Sequence, residues 1–81
     1  MKLEIRLFAG LKCNNRELPC FGENEFYLEV PEGMTVDELH RMLNLQLSLP
    51  LVNLINGLAQ ADDWVLADND RVGIFPPVGG G

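Results

Sequence analysis

A short segment around residue 35 limits most strongly how this 81-residue chain can fold, because it marks where a helix begins. Thr35 and Glu38 have the spacing of a capping box, in which each side chain can satisfy the backbone N–H of the other residue. Met34 and Leu39 occupy the two positions of a hydrophobic staple, which sets the direction in which the chain enters the helix. The segment therefore predicts a helix that starts directly after Thr35.

The helix is predicted to continue to about Leu47, because apolar residues recur there at helical spacing. His40 and Arg41 fall on the flank of the helix, and Pro50 prevents it from extending further. The stripe that would face the core consists of Val36, Leu39, Leu43 and Leu47.

Two segments before the helix alternate apolar and polar residues, which is typical of half-buried strands. The first runs from Lys2 to Phe8 and the second from Glu25 to Val30. The connection between them, residues 9–24, is rich in turn-forming residues, and the two strands are expected to form a hairpin. The side chains predicted to point inward are Leu3, Ile5, Leu7, Phe26, Leu28 and Val30.

Short apolar segments follow the helix. Asn56-Gly57 is a strong hairpin signal, and it predicts that Leu51–Ile55 pairs with a short strand that starts at Leu58. In the connector that comes next, Trp64 and Leu66 are expected to anchor the chain to the core. These residues therefore predict a short two-stranded hairpin followed by a loop that is anchored to the core.

The last predicted strand is Arg71–Phe75, with Val72 and Ile74 facing inward. A turn at residues 68–70 precedes it, in which Asn69 tolerates a left-handed backbone. This strand can pair in parallel with the first one through a right-handed crossover that contains the helix. The order of elements predicts an α+β fold of the ubiquitin-like β-grasp kind, a mixed sheet with one helix across one face. Residues 1–75 would form the domain and residues 76–81 a flexible tail.

Strand parity places two aromatic residues on the face of the sheet that the helix does not cover. Phe8 ends the first strand and Phe75 ends the last, so parallel pairing would bring both rings to the same end of the sheet. Gly73, on the same face, would leave room beside them. Contiguous exposed apolar surface is unusual on a small domain, so the pair is interpreted as a docking patch. The alternative is that the 9–24 connection folds over one of the rings.

Charge and hydropathy argue against several classes of function. Twelve acidic and six basic residues give a formal net charge of −6. Nucleic acid is not an expected ligand, because binding it requires clustered Lys and Arg, whereas a basic protein surface would be attracted. No apolar run reaches the roughly 18 residues of a membrane span, and the first residues do not have the pattern of a signal peptide. The expected location is the cytoplasm.

Cys13 and Cys20 lie in the long connection and are expected to be reduced thiols. A disulfide between them is the open alternative and would need an oxidising compartment. A zinc site is not expected, because His40 is the single histidine and lies far along the chain on the predicted helix. His40 also lacks the nucleophile or pocket pattern that would indicate acid–base catalysis.

Acidic residues cluster at positions 62–63 and again at 68 and 70. Their spacing does not match a calcium-binding EF-hand loop. We interpret them as solvated residues or turn caps, so the sequence predicts no metal site.

The C-terminal segment combines a strand stop with residues that almost lack side chains. Pro76-Pro77 ends the last strand, because proline cannot donate a ladder hydrogen bond, and keeps the exit extended. Val78, Gly79, Gly80 and Gly81 follow. A glycine backbone can pass through a narrow channel and adopt any φ that a partner requires. The segment is therefore interpreted either as a remnant without structure or as the reactive end of the molecule.

With these motifs in place, the chain resembles the MoaD/ThiS family of β-grasp sulfur carriers, and within it the branch of the molybdopterin synthase small subunit. The resemblance covers essentially the whole chain. The Pro-Pro pair favours that branch over thiamine-type carriers. The segments that carry the resemblance are Leu7-Phe8-Ala9, Pro31–Val36, Ile55-Asn56-Gly57, Asp68–Val72 and Phe75–Gly81.

The resemblance implies that the α-carboxylate of Gly81 is the reactive group. A ubiquitin-activating-type (MoeB-like) enzyme would consume ATP to adenylate it, and a sulfur donor would convert the adenylate into a thiocarboxylate. A MoaE-like large subunit of molybdopterin synthase would use that sulfur. Phe8 and residues 75–80 would bind these partners, and the chain would supply no permanently bound cofactor, acid, base or metal.

The implied role is therefore a non-catalytic, sulfur-carrying subunit. Three alternatives stay open at this point. The chain could carry sulfur for thiamine, cysteine or tRNA thiolation, or it could be a ubiquitin-like modifier that forms isopeptide bonds through Gly81. It could also be an interaction domain with an inert tail, in which case a residue added after Gly81 would change nothing.

Overall fold

The computed structural model describes residues 1–45 and 50–77. Among these residues, no helix is long and apolar enough to cross a membrane. Leu47 of the predicted helix, and Val78, Gly79, Gly80 and Gly81 of the predicted tail, lie outside the described residues. The elements in chain order are β1 (Lys2–Leu7), β2 (Glu25–Glu29), α1 (Val36–Met42), β3 (Val52–Ile55), β4 (Leu58–Gln60) and β5 (Arg71–Phe75).

The strands form one mixed sheet in the order β2-β1-β5-β3-β4. β1 pairs antiparallel with β2 and parallel with β5, where Ile5 lies opposite Val72. β5 also pairs antiparallel with β3, so it is the central strand of the sheet. The predicted parallel pairing of the first and last strands is therefore confirmed. The β3–β4 hairpin, whose position the sequence left open, extends the same sheet beyond β5.

Alternation along the strands separates a core face from an open face. Leu3, Ile5 and Leu7 of β1 and Ile74 of β5 are at most 2% exposed, whereas the predicted inward residue Phe26 is only half-buried. Burying each such aliphatic side chain contributes about 1.5–3 kcal/mol relative to leaving it exposed. The helix covers this face with the core residues Val36, Leu39 and Leu43.

The beginning of α1 has the predicted capping box. The backbone N–H of Thr35 donates to Glu38 Oε1 over 2.9 Å, and the backbone N–H of Glu38 donates to Thr35 Oγ1 over 3.2 Å. The Thr35 hydroxyl also donates to Glu38 Oε1 over 3.1 Å. The hydrogen bond from Thr35 N–H, followed by the one from the Thr35 hydroxyl, lowers the pKa of the Glu38 carboxyl from its ordinary value. The local signal from the sequence is thus sufficient to define where the helix starts.

The end of α1 differs from the prediction. The helix stops at Met42, with Leu43 as its C-cap, rather than continuing to about Leu47. Asn44 adopts a left-handed conformation with φ 55°, and this conformation commonly terminates helices. The carbonyl groups left over at this end accept hydrogen bonds from the 9–24 connection, from Asn14 N to Leu43 O over 2.9 Å and from Asn15 Nδ2 to Met42 O over 2.7 Å.

His40 is buried rather than lying on the exposed flank of the helix as predicted, with 7% of its surface accessible. Its Nε2 lies 2.7 Å from Oδ1 of Asn53 on β3. Asn53 directs its Nδ2 towards Asp62 Oδ1 at 2.8 Å and Gln60 O at 3.4 Å, so its Oδ1 faces the histidine and accepts a hydrogen bond from Nε2–H. Because β3 provides this acceptor, the imidazole can be buried without an unsatisfied polar group.

The predicted turns are confirmed. Asn56 and Gly57 have φ values of 53° and 84°, as a two-residue hairpin with positive φ at both positions requires. Asn69 has φ 67° in the turn before β5. Trp64, however, does not anchor its loop through the ring, which is 43% exposed, whereas Leu66 is buried as predicted.

The connector is attached to the start of α1 by its main chain instead. The backbone N–H of Val36 donates to Trp64 O over 3.0 Å, and that of Asp37 donates to Asp62 O over 2.8 Å. Both N–H groups belong to the first turn of the helix and have no partner within it. The connector therefore satisfies the helix start with carbonyl groups, and the indole is left at the surface.

Candidate functional site

The rings of Phe8 and Phe75 stack on the open face of the sheet. Their centroids are 4.3 Å apart and their planes differ by 4°. Phe8 is 37% exposed and Phe75 is half-buried. The predicted placement of the two rings is therefore confirmed, because parallel pairing of β1 and β5 brings them to the same end of the sheet. Aromatic pairs of this kind contribute about 0.5–1.5 kcal/mol beyond the area that they bury.

The backbone around Phe8 holds its ring in place. Phe8 N–H donates to Ile74 O over 3.0 Å, which extends the parallel ladder one residue past β1. Ala9 and Gly10 then take positive φ values of 57° and 85°, and Leu11 N–H donates back to Phe8 O over 3.2 Å. The chain thus turns sharply away from the sheet directly after Phe8.

The 9–24 connection does not cover the stacked rings. It runs towards the other side of the sheet, where it meets the end of α1, and its Cys13 and Cys20 are buried with the core cluster. Leu11 and Leu18 pack against the same cluster. The structure therefore disfavours the alternative in which this connection shields one ring.

Strand β3 adds two aliphatic residues to this surface. Val52 lies opposite Phe75 in the β3–β5 register and Leu54 lies opposite Gly73, and directly opposed residues in a sheet share a face. Val52 is 45% exposed. We call Phe8, Val52, Leu54, Gly73 and Phe75 the open-face patch. Sequence reasoning missed the two β3 residues, because their side depends on which strand β3 pairs with.

Gly73 forms the floor of the patch. A Cβ atom at this position would lie 3.4 Å from Phe8 Cε2 and 3.8 Å from both Leu54 Cβ and Phe75 Cε2. These are ordinary van der Waals distances, so the glycine is not needed to avoid a clash. Its effect is to leave a shallow depression of about 290 Å³ in the surface.

Charged residues border the depression on the side away from the tail. Glu4, Arg6 and Arg71 line it together with the aromatic pair. Arg6 also forms an exposed ion pair with Glu25 at 3.2 Å. The surface therefore offers an apolar centre and a polar rim of both signs, the usual arrangement of a protein–protein interface.

The predicted partner-binding residues are only partly placed by the structure. Phe8 and Phe75 come together, and Pro76 and Pro77 are half-buried directly after β5. Val78, Gly79, Gly80 and the predicted reactive residue Gly81 lie outside the described residues. The root of the C-terminal segment is thus held by the central strand, next to the open-face patch.

Polar clusters elsewhere have structural partners. One potential ligand atom from each of Asp37, His40 and Asp62 lies within 4.8 Å of the others. Asp37 is paired with Arg41 at 2.8 Å, and the other two side chains bind Asn53. These contacts account for the cluster as a packing network between α1, β3 and the connector.

Of the acidic residues near β5, Asp68 and Asp70 accept hydrogen bonds at turns, as the sequence predicted. Asp68 Oδ1 accepts from Lys2 N–H over 2.7 Å. Asp70 accepts from Ala67 N–H over 2.8 Å and from Asn56 Nδ2 over 2.9 Å. They hold the turn before β5 against β1 and against the β3–β4 hairpin.

A β-grasp domain whose central strand leads, beside an exposed aromatic patch, into a glycine-rich C-terminal segment defines the class of small sulfur carriers and ubiquitin-like modifiers. Within this class, residues 11–81 match the model of the ThiS family, and the chain belongs to that family. Comparison with curated protein sequences gives no match.

Solved structures with the same fold include SAMP1 from Haloferax volcanii, with 25% identity, complete coverage of both chains (100% each) and a TM-score of 0.66. A second solved structure is that of a Pyrococcus furiosus protein, which is described from inference as subunit 1 of molybdopterin converting factor. It is 27% identical to this chain, the alignment covers 95% of this chain and 98% of that one, and the TM-score is 0.64. These likenesses confirm the ubiquitin-like β-grasp fold predicted from the sequence.

Proposed function

We propose that this chain is a sulfur carrier that acts as the small subunit of a molybdopterin synthase. In this proposal the carboxylate of Gly81 attacks the α-phosphorus of ATP on an activating enzyme, and pyrophosphate leaves. Sulfur from a donor then displaces AMP from the acyl-adenylate and leaves a thiocarboxylate at Gly81. The carrier presents this sulfur to a catalytic large subunit and contributes no acid, base or metal ion of its own.

The observation that carries the proposal is the position of the Phe8–Phe75 stack. The stack lies where β5, the central strand, passes into Pro76-Pro77, four residues before the terminal carboxylate at Gly81. A partner that binds the stack would also fix the start of the C-terminal segment, which lies only a few residues from the Gly81 carboxylate. Because the prolines restrict the unbound chain, less conformational entropy is lost when the segment enters a partner's channel.

Charge as well as shape supports the proposed choice of partners. A net charge of −6 favours a partner with a basic surface. The proposed partners are a MoeB-like adenylating enzyme, a MoaE-like large subunit and a sulfur donor. The family membership and the likeness to the Pyrococcus furiosus protein support this choice. The cytoplasm is the proposed location, because ATP-dependent activation takes place there.

The test of the chemistry is the intact mass of the chain after incubation with ATP, a MoeB-like enzyme and a sulfur source. We expect the mass change of one oxygen replaced by sulfur, located at Gly81 by fragmentation. A variant with one extra residue after Gly81 should remain unmodified and fold normally. An unmodified wild-type chain, incubated with an activating enzyme that modifies another carrier of the family, would refute the proposal.

The test of docking compares Phe75→Ala with Tyr27→Ala, a matched control on the same face. Tyr27 is 64% exposed on β2 and does not line the depression, although its hydroxyl donates to the rim residue Glu4 over 3.3 Å. Phe75→Ala is expected to weaken binding of the large subunit by about 30-fold or more, as for a hot-spot aromatic, while its cost to folding stays near 1–2 kcal/mol. Tyr27→Ala should leave binding within about threefold of wild type. Equal losses of binding and folding for Phe75→Ala would mean that the ring stabilises the fold and makes no separate contribution to docking.

A second candidate function is protein modification through the same activated glycine, and the likeness to SAMP1, the small archaeal modifier protein 1 of Haloferax volcanii, favours it. The adenylate would then be attacked by a lysine amine instead of by sulfur. The two functions are separated by the product, because modification yields a branched peptide in which Gly81 is linked to a lysine Nζ. Isolation of such peptides from the source cells would support modification, and exclusive recovery of the thiocarboxylate would support the carrier.

A further inference from the structure

Two cysteines that the proposed function does not use lie side by side in the 9–24 connection. Cys13 Sγ and Cys20 Sγ are 3.0 Å apart and share a hydrogen bond. Their residues are 1% and 4% exposed. Both are free thiols in this structure. A disulfide bond is about 2.05 Å long, so the two sulfur atoms need to approach by only about 1 Å to form one.

The backbone holds both cysteines in this arrangement independently of their side chains. Cys13 N–H donates to Glu23 O over 2.9 Å, and Gly22 N–H donates to Cys13 O over 2.8 Å. Glu23 N–H donates to Cys20 O over 2.8 Å. These three bonds form a closed turn in which Cys13 and Cys20 face each other. The proximity of the sulfur atoms is therefore a property of the loop and not of a chance rotamer.

The turn is also attached to the rest of the domain. Asn14, the next residue after Cys13, donates its backbone N–H to Leu43 O at the end of α1 over 2.9 Å. Asn15 Nδ2 donates to Met42 O over 2.7 Å. A covalent link between the cysteines would therefore stabilise a loop that is already folded against the helix.

We propose that Cys13 and Cys20 form a modification site at which one reversible intramolecular disulfide cross-links the 9–24 connection when the surrounding glutathione pool becomes oxidising. In the reaction each thiol gives up one proton and one electron as the S–S bond forms. A low-molecular-weight disulfide, such as oxidised glutathione, accepts them as its own S–S bond breaks, and two small thiols are released. A dithiol reductant reverses the exchange.

Exchange in the folded state is expected to be slow. Burial, followed by the hydrogen bond and the charge of Cys13, raises the pKa of the Cys20 thiol to about 12. The thiolate is the attacking species in exchange, so little of it is present at neutral pH. The site therefore equilibrates with its surroundings mainly when the connection opens or when the chain folds.

The link would stabilise the domain without covering the open-face patch. In the chain-entropy model, a closed loop of about eight residues makes unfolding roughly 60-fold less favourable. For a domain of this size that corresponds to a rise in Tm of about 10–20 °C. The stacked Phe8 lies on the other side of the sheet, so docking of a partner should be the same for both redox forms.

The test unfolds the whole chain in urea and refolds it in a buffer of oxidised and reduced glutathione, which lets the thiols equilibrate before burial. We expect a monomer lighter by two hydrogens, a cross-linked peptide that contains Cys13 and Cys20, and a Tm that falls by about 10–20 °C when the dithiol reductant is added. Cys13→Ser and Cys20→Ser, each with a single thiol, should show no such fall.

Because wild-type protein is compared with itself before and after reduction, the result does not depend on how well the serine variants fold. The proposal is overturned if the refolded wild-type chain keeps both thiols free. It is equally overturned if the thiols are recovered mainly as glutathione adducts, or if the cross-linked chain is no more stable than the reduced one.

Discussion

The buried hydrogen bond between His40 and Asn53 makes a quantitative test of how this domain holds its helix on the sheet. His40 is 7% exposed and Asn53 is 2% exposed, and their side chains meet over 2.7 Å. Replacing either residue by leucine removes one partner and leaves the other buried without one. Replacing both removes the polar groups together. The two single variants and the double variant therefore form a double-mutant cycle.

The structure sets the expected magnitudes. In Asn53→Leu, the Nε2–H of His40 loses its acceptor, and in His40→Leu, Oδ1 of Asn53 loses its donor. An orphaned buried polar group costs about 1–3 kcal/mol, whereas replacing both partners by apolar groups can be nearly neutral. Asp62 also loses its contact with Asn53, but it is exposed and water can replace that contact. We therefore expect each single variant to lose about 2 kcal/mol, with a coupling of at least about 1 kcal/mol in the cycle.

The assay is equilibrium unfolding in urea followed by far-UV circular dichroism, with the m-value checked for constancy across the four proteins. In thermal unfolding, each single variant should lower Tm by about 8–16 °C. The double variant should lose less free energy of unfolding than the sum of the two single losses. Additive losses, within about 0.5 kcal/mol, would show that the two side chains do not act as a pair and would refute this account of His40 burial.

Three further predictions concern the patch, the helix start and the turn before β5. Gly73→Ala is expected to leave stability unchanged or to raise it by up to about 1 kcal/mol, because the added Cβ meets Phe8 at an ordinary distance. Titration with the large subunit should show weaker docking, because the methyl group fills the depression. A loss of stability above about 1 kcal/mol would contradict this prediction. Glu38→Gln keeps the capping hydrogen bonds but cannot titrate. Because the native pKa of Glu38 is lowered, its charge stabilises the wild type above the ordinary carboxyl pKa, and this contribution is lost as the pH falls through the lowered native value. The stability difference between wild type and Glu38→Gln in urea should therefore shrink in acid, and a difference that does not depend on pH would argue against the capping role. Asp70→Ala removes the acceptor for Ala67 N–H and for Asn56 Nδ2 and should cost about 1.5–3 kcal/mol in urea unfolding, whereas Asp68→Ala, at an exposed turn, should cost less than about 1 kcal/mol.

Local signals in the sequence were enough to predict the elements and the position of the aromatic pair. The capping box at Thr35 and the turn at Asn56-Gly57 depend on hydrogen bonds and φ angles within a few residues, so they can be predicted without a tertiary structure. Placement of the pair needed one step more. The period of two along a strand assigns Phe8 and Phe75 to one face, and parallel pairing of the two strands then brings them to the same end.

Several features could not be predicted, because they depend on residues that are distant in the chain. Whether His40 is buried is decided by Asn53, which supplies its acceptor from a strand that begins after the helix. The early end of α1 has a local cause in the left-handed Asn44, but the apolar residues beyond it favoured a longer helix. The membership of Val52 and Leu54 in the patch depends on the pairing of β3 with β5.

The period of each strand, the start of the helix and the turns can be predicted from the sequence alone, because each rests on interactions between near neighbours. Which polar groups are buried together and which surfaces join depends on contacts between distant segments of the fold. Cys13 and Cys20 illustrate the distinction. Their spacing was compatible with separate thiols, and the closed turn held by Glu23 brings their sulfur atoms to 3.0 Å. Contacts of this kind follow from the path of the backbone through the fold, which no local pattern specifies.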